Sequence, residues 1–345
     1  MKTDTKTADM ETPIEQTATA SKPLVSVVVE GYNESRELGT AAATMDALKQ
    51  QDFPLERVEV VLVGSLAQTE EWKRLYSSGT PFLSVRTVEI DGANYYELKN
   101  LGAEIACGEI IAFTDSDVRP KSTWLSSAVG AIESGADVVV GPSLFRNDSG
   151  FNPDDTIMQI AASITWGWIL GKNKGGQLPQ PLGFMDHNVV FRAETFRTHQ
   201  YRTEFGRICA SPLLYRAIVN AGGKIALQPK QQVAHYFSWR YWLVSLHFRY
   251  GYEVFSLRRL DKDYPNQWIA RTSVLEPLVT MGWHVMLDIR RWFRFSRLLE
   301  ISSLRRWALL PLVAVMSAVA RASEMSGMYA TLLAPLAMKQ WAEKV

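Results

Sequence analysis

Cysteine is scarce in this chain: Cys107 and Cys209 are the only two in 345 residues. That excludes a disulfide framework and a cysteine-built zinc centre, and it makes a reducing, cytoplasmic compartment the expectation. Net charge is almost absent. Lys and Arg number 37 against 36 Asp and Glu, leaving +1, which argues against a generic binder of polyanions. No apolar run reaches the roughly 20 residues that a membrane-spanning helix needs. Residues 1–22 have no apolar core of a signal peptide and no periodicity, so a disordered tail is expected there. There is no internal repeat, no phosphate-binding P-loop, no Ser/His/Asp arrangement and no zinc-ligand spacing. No RNA- or DNA-binding pattern accompanies the basic residues, so nucleic acid is not an expected partner.

What is present is globular: 47% hydrophobic and 21% charged residues, enough for a sizeable core. Order is expected from Pro23. Leu24–Val29, Val58–Val63 and Leu83–Ile90 read as buried strands, and Ser35–Gln50, Gln68–Tyr76 and Asn94–Cys107 read as helices. A strand at 110–113, a helix from Ser122 to Glu133 and a strand at Asp137–Gly141 follow. Strands alternating with helices predict a mostly parallel α/β sheet. Its polar loops at 30–34, 64–67 and 115–117 would share one edge.

The chain is organised around Gly108–Pro120, GEIIAFTDSDVRP. An apolar strand, Ile110–Phe113, runs into Asp115-Ser116-Asp117. Ligands of open α/β sheets bind just past the carboxyl ends of strands. Two carboxylates one residue apart at such a place can hold a divalent cation and, through it, a diphosphate. Asp and Ser are also ordinary turn formers, and the tripeptide alone reads first as a turn.

The flanks resemble a known family. LVSVVVEGYNES, KNLGAEIACGEIIAFTDSDVRPKSTWL, GFMDHNVVFRAETF and VAHYF…HFRYGYEVF look like a family 2 glycosyltransferase with the GT-A fold, over residues 24–258. The resemblance implies an inverting transferase that moves a sugar from a nucleotide-diphosphate sugar, with Mg²⁺ or Mn²⁺ on the leaving diphosphate. It places Asp115 near ribose and metal, with Ser116 beside it, and makes Asp117 a metal ligand. Tyr32 and Glu34 would border base and ribose, although Tyr32 also reads as a strand-end aromatic. Lys99 would neutralise phosphate, or be a solvated helix lysine. His235 would face the metal–diphosphate, or be a buried histidine bonded to backbone. The loop from Gly183, with Asn188, would floor the site; His187 reads as a surface histidine.

Two departures stand out. Where the family's second strand ends in an Asp, this chain has Val63-Gly64-Ser65. Where the family places Glu-Asp, with the Asp as general base, this chain has Cys209-Ala210 ahead of Leu213-Leu214-Tyr215-Arg216. Glu204 is the first substitute candidate and Asp186 the second; each also reads as structural. The missing pair gives a second reading, a non-catalytic relative that binds nucleotide or glycan as an assembly component. A nucleotidyltransferase lacks a Gly-rich, Lys-containing signature after the first strand.

Beyond about residue 238 the composition shifts. Residues 256–306 carry ten Lys and Arg against five Asp and Glu, interleaved with aromatics around Arg290, Arg291 and Arg294. Two apolar stretches follow, Trp307–Ala320 with Pro311 and Met325–Met338 with Pro335. They read as a peripheral membrane element, or as an amphipathic pair buried on the catalytic domain. The expected organisation is a tail (1–22), a GT-A domain (23–258) and a helical, partly apolar C-terminal region (259–345). The expected acceptor is a lipid-linked sugar or a polysaccharide.

Overall fold

The computed structural model describes residues 23–34, 40–76, 78–146, 155–170, 181–204, 210–264 and 266–344. The expected tail at 1–22 and Cys209 lie outside them. The first half alternates strands and helices: β1 (Val25–Glu30), α1 (Ala41–Lys49), β2 (Val58–Gly64), α2 (Leu66–Tyr76), β3 (Ser84–Glu89), α3 (Tyr95–Ile105) and β4 (Ile110–Asp115). Next come β5 (Val118–Pro120), α4 (Trp124–Glu133), β6 (Val138–Val140), β7 (Ser143–Arg146) and α5 (Thr156–Trp166). Then follow β8 (Val189–Arg192), α6 (Ala193–His199), α7 (Ala210–Asn220), β9 (Ile225–Leu227) and β10 (Val233–Tyr236). A π-helical turn, Tyr241–Phe248, leads into α8 (Arg249–Leu260), α9 (Glu276–Leu298), α10 (Ser303–Ala308), α11 (Leu310–Leu333) and α12 (Pro335–Ala342).

Seven strands form one sheet in the order β3-β2-β1-β4-β8-β6-β9. The first four are parallel, while β8 runs antiparallel to both β4 and β6. The sheet is therefore mixed. A second sheet, β5-β10-β7, lies past the end of β4. The apolar character of β1, interrupted by Ser26 before the strand ends in Glu30, has a direct cause: both its faces are covered. Val25, Val27 and Val29 pack with Met45 and Trp72 on one side, and Val28 packs with Tyr95 and Leu98 on the other. Helix α3 sits hard against the sheet, because a Cβ at Gly102 would strike Val28 and Val63. Its first turn is held by a reciprocal cap between Asn94 and Glu97, which sets Tyr95 and Lys99 over the ends of β1 and β4.

The C-terminal helices share the core of the sheet. Trp292 and Phe295 of α9, with Val313, Met316 and Ala320 of α11, belong to the same buried cluster as Phe113 and Phe191. Polar groups bind this layer from within. Arg321 contacts Asp288 at 2.7 and 2.9 Å, Glu324 at 2.5 Å and the Ile164 carbonyl of α5 at 3.0 Å. Ser317 donates to Asp288 at 2.7 Å, and Arg258 pairs with Glu276 at 3.0 Å. Two of the arginines read as membrane-facing are thus occupied: Arg291 pairs with Asp288 at 3.0 Å and Arg294 donates to the Leu170 carbonyl at 3.2 Å. Pro311 does not break an apolar stretch; it sits in the first turn of α11, where its missing N–H costs nothing. Among the described residues, no helix is long and apolar enough to cross a membrane.

Candidate active site

Register brings the acidic groups together. Glu30 and Asp115 are paired neighbours at the ends of β1 and β4, and the alternation of side chains turns both toward α3. Lys99, with 0% of its surface exposed, reaches Asp115 at 2.7 Å. Tyr95 donates to the same carboxylate at 3.0 Å, and the Asn33 amide lies 3.4 Å away. Burial raises the carboxyl's pKa, yet the charge and hydrogen bond of Lys99, together with His187 and His235, hold Asp115 down at about 2. Glu30 is pushed the other way, well above the ordinary range, by burial and then by the Asp115 charge. Asp115 is thus the anionic partner of Lys99, while Glu30 beside it resists ionisation.

Lys99 is accordingly the buried counter-ion of Asp115, neither solvated nor placed as a free cation for phosphate. Its removal leaves a buried carboxylate without a cation, which typically costs about 3–5 kcal/mol. Lys99→Met is expected to lower the urea midpoint of unfolding by that order at neutral pH. The pH dependence has a definite sign. Asp115's depressed pKa supplies stability that is present above about pH 4 and lost as pH falls toward about 2. In Lys99→Met burial acts alone and raises that pKa, so the acid-side loss should disappear and the variant's deficit should grow as pH rises through the carboxylate range; an unchanged midpoint across pH would refute this pairing.

Asp117 lies past the strand end, fully buried, and faces the β10 histidine: its Oδ2 is 3.3 Å from His235 Nε2. His235 stacks on Tyr241, whose hydroxyl is 3.0 Å from the same nitrogen. Burial drives its pKa down to about 4, against the pull of Asp115, so the imidazole is neutral at physiological pH. His187 is not on the surface. It packs between Trp166 and His235, lies 2.7 Å from Ser143 Oγ, and is held neutral by burial at about 3. Ser116 is buried, and its hydroxyl has no hydrogen-bond partner among the described residues.

The three expected metal ligands do not converge as a trio. Asp115 is turned to Lys99 and Tyr95, Asp117 to His235, and among the described residues no group of three His, Cys, Asp or Glu is arranged to hold a metal ion. The donors still fit Mg²⁺ or Mn²⁺. A buried carboxylate beside a neutral imidazole is a suitable partial shell, and such ions commonly take one or two carboxylates and complete their shell with phosphate oxygens.

Other expectations fare differently. Glu34 does not face the pocket; its two oxygens accept from Ala41 N at 2.7 Å and Gln68 Nε2 at 2.8 Å, which fastens the loop to α1 and α2. Tyr32 stands edge-on to Tyr95, with centroids 6.1 Å apart, and its hydroxyl donates to the carbonyl of Glu343 beyond α12. Asn188 stitches the floor loop, bonding Trp124, Pro142 and Gln231. Glu204 is exposed and pairs with Arg202, away from the acidic cluster. Asp186 is brought in: Tyr96 and Tyr201 each donate to one of its oxygens at 2.9 Å. Burial raises its pKa despite Lys99 and these hydrogen bonds.

Strand order and the placement of the acidic turn define a glycosyltransferase of the GT-A class. The chain belongs to the Glycosyl transferase family 2, whose profile matches residues 26–198. It is 32% identical over 155 residues to the glycosyltransferase AglE of Haloferax volcanii, a match covering 43% of this chain and 50% of that one. It thus spans about half the length of that relative. It is 23% identical over 272 residues to the glucosyl-dolichyl phosphate glucuronosyltransferase of the same organism, covering 74% and 83%. Among solved structures it resembles the mannosyltransferase of Pyrobaculum calidifontis in complex with GDP-Man and Mn²⁺: TM-score 0.53, 19% identity, 90% of this chain and 88% of that one.

Proposed function

We propose that the chain is a metal-dependent, inverting transferase that moves a sugar from a nucleotide-diphosphate sugar to a lipid-linked or polysaccharide acceptor at the cytoplasmic face of a membrane. The observation that carries this reading is the buried Asp115-Ser116-Asp117 turn with a neutral His235 opposite Asp117. Asp117 and His235 would hold the ion, and Lys99 fixes the charge and position of Asp115 beside it. When bound, the ion would act as a Lewis acid on the leaving diphosphate. Asp186 would take the proton of the acceptor hydroxyl as its oxygen bonds the anomeric carbon and the bond to diphosphate breaks. Its raised pKa makes it a stronger base than an ordinary carboxylate. Tyr96, Tyr201 and Ser211 occupy three of the roughly four lone-pair sites of its carboxylate, which leaves one for the proton. A relative acting on a dolichyl phosphate sugar and a structural neighbour holding GDP-Man and Mn²⁺ support the substrate classes.

One observation favours the second reading, a non-catalytic binder: Ala210 opens α7 where the family's general base is expected. Nucleotide-diphosphate release from a panel of nucleotide sugars separates the two. Release that requires Mn²⁺ or Mg²⁺ and a lipid-phosphate or glycan acceptor is the expected result. Tight nucleotide binding without any release would establish the binder.

A further inference from the structure

Helices α10 and α11 run almost end to end, and one side of them is unpartnered. Val313, Met316, Ser317 and Ala320 face the core. On the other side Leu304 (82% exposed), Trp307 (61%), Leu312, Val315 (61%) and Val319 form a stripe at helical spacing. The Trp307 ring rests on Phe293 of α9, with centroids 4.7 Å apart. Arg290 and Arg297, three residues before and four after Phe293, lie on the same face of α9 and are exposed. Between residues 290 and 306 Glu300 is the only acid among six arginines. The surface is an apolar ridge with a tryptophan, bordered by cations.

We infer that this ridge is the surface by which the protein lies on an anionic bilayer, with the α10–α11 stripe in the headgroup region and Arg290 and Arg297 on lipid phosphates. The inference rests on the membrane reading above and deepens it, because it moves the contact from the middle of α9 to another face. Arg291 and Arg294, which the sequence offered for this role, are held inward. An apolar stripe with a tryptophan and a basic border is the signature of an interfacial helix. A second copy is a poorer occupant. A two-fold contact sets each patch against itself, and the arginine borders would repel. Spanning is also excluded for α11, which carries Arg321 and Glu324 buried in its own protein.

Flotation of the full chain with phosphatidylcholine vesicles, with and without phosphatidylglycerol, tests this. The wild type should float with the anionic vesicles only. Arg290→Gln with Arg297→Gln should weaken partitioning about 30-fold, at about 1 kcal/mol per charge. Trp307→Glu with Val315→Glu should abolish it. Both pairs are exposed, and the arginine pair decides alone if the second fails to fold. Wild-type flotation undiminished in both variants would overturn this face and leave the membrane reading standing. A wild type that ignores anionic vesicles would overturn both. A dimer in light scattering that Trp307→Glu with Val315→Glu makes monomeric, without vesicle binding, would mean a self-contact and overturn the proposal.

Discussion

Asp117→Asn should abolish metal-dependent donor binding and leave the fold in place. The substitution keeps size and shape, and it removes the hard anionic donor that faces His235 at 3.3 Å. A bound ion supplies several kcal/mol to the departure of a diphosphate, so turnover should fall roughly 10²–10⁴-fold. Calorimetry with a nucleoside diphosphate and Mn²⁺ reads the binding loss, and a thermal melt shows that the fold survives. Undiminished Mn²⁺-dependent affinity in this variant would remove Asp117 from the metal site.

Asp186→Asn carries the second large effect. General-base catalysis is typically worth about 10²–10⁴-fold, and kcat should drop by that order while donor affinity stays within a few fold. The sign of the pH dependence follows from the shift. The active form is the carboxylate, and burial raises its pKa, so kcat/KM should climb with pH through an acidic limb above the usual carboxylate range. Asp186→Asn should erase that limb. Glu204→Gln should change kcat little, since Glu204 is spent on Arg202 at the surface. A reversed pattern, with Glu204→Gln costing the rate, would hand the base role to Glu204.

The central strands were legible because burial on both faces leaves a mostly apolar run, and β1, β2 and β4 begin and end within two residues of that expectation. The acidic turn was legible for the same reason: a strand that stops at two carboxylates advertises a sheet edge. What escaped the sequence were partnerships between distant elements. Glu34 looks like a pocket residue until Ala41 and Gln68 take both its oxygens. His187 looks like a surface histidine until Trp166 and His235 close over it. Glu30 offered a signal, a charge at the last position of an apolar strand, but only the register with Asp115 shows its consequence. In α9, composition counted arginines correctly and could not say that Asp288 takes one of them inward.

The knot of Arg321, Asp288 and the Ile164 carbonyl makes the helical layer inseparable from the catalytic sheet. Helix α5 carries Ile164 and, two residues on, Trp166, the ring that packs against both site histidines. The layer is therefore no interchangeable anchor. A chimera that kept residues 23–258 and borrowed a foreign tail would strip the outer support from α5 and bare the apolar side of the shared core. For anyone splicing such proteins, residue 258 is where a boundary was expected, and there the sheet and the helices share one core.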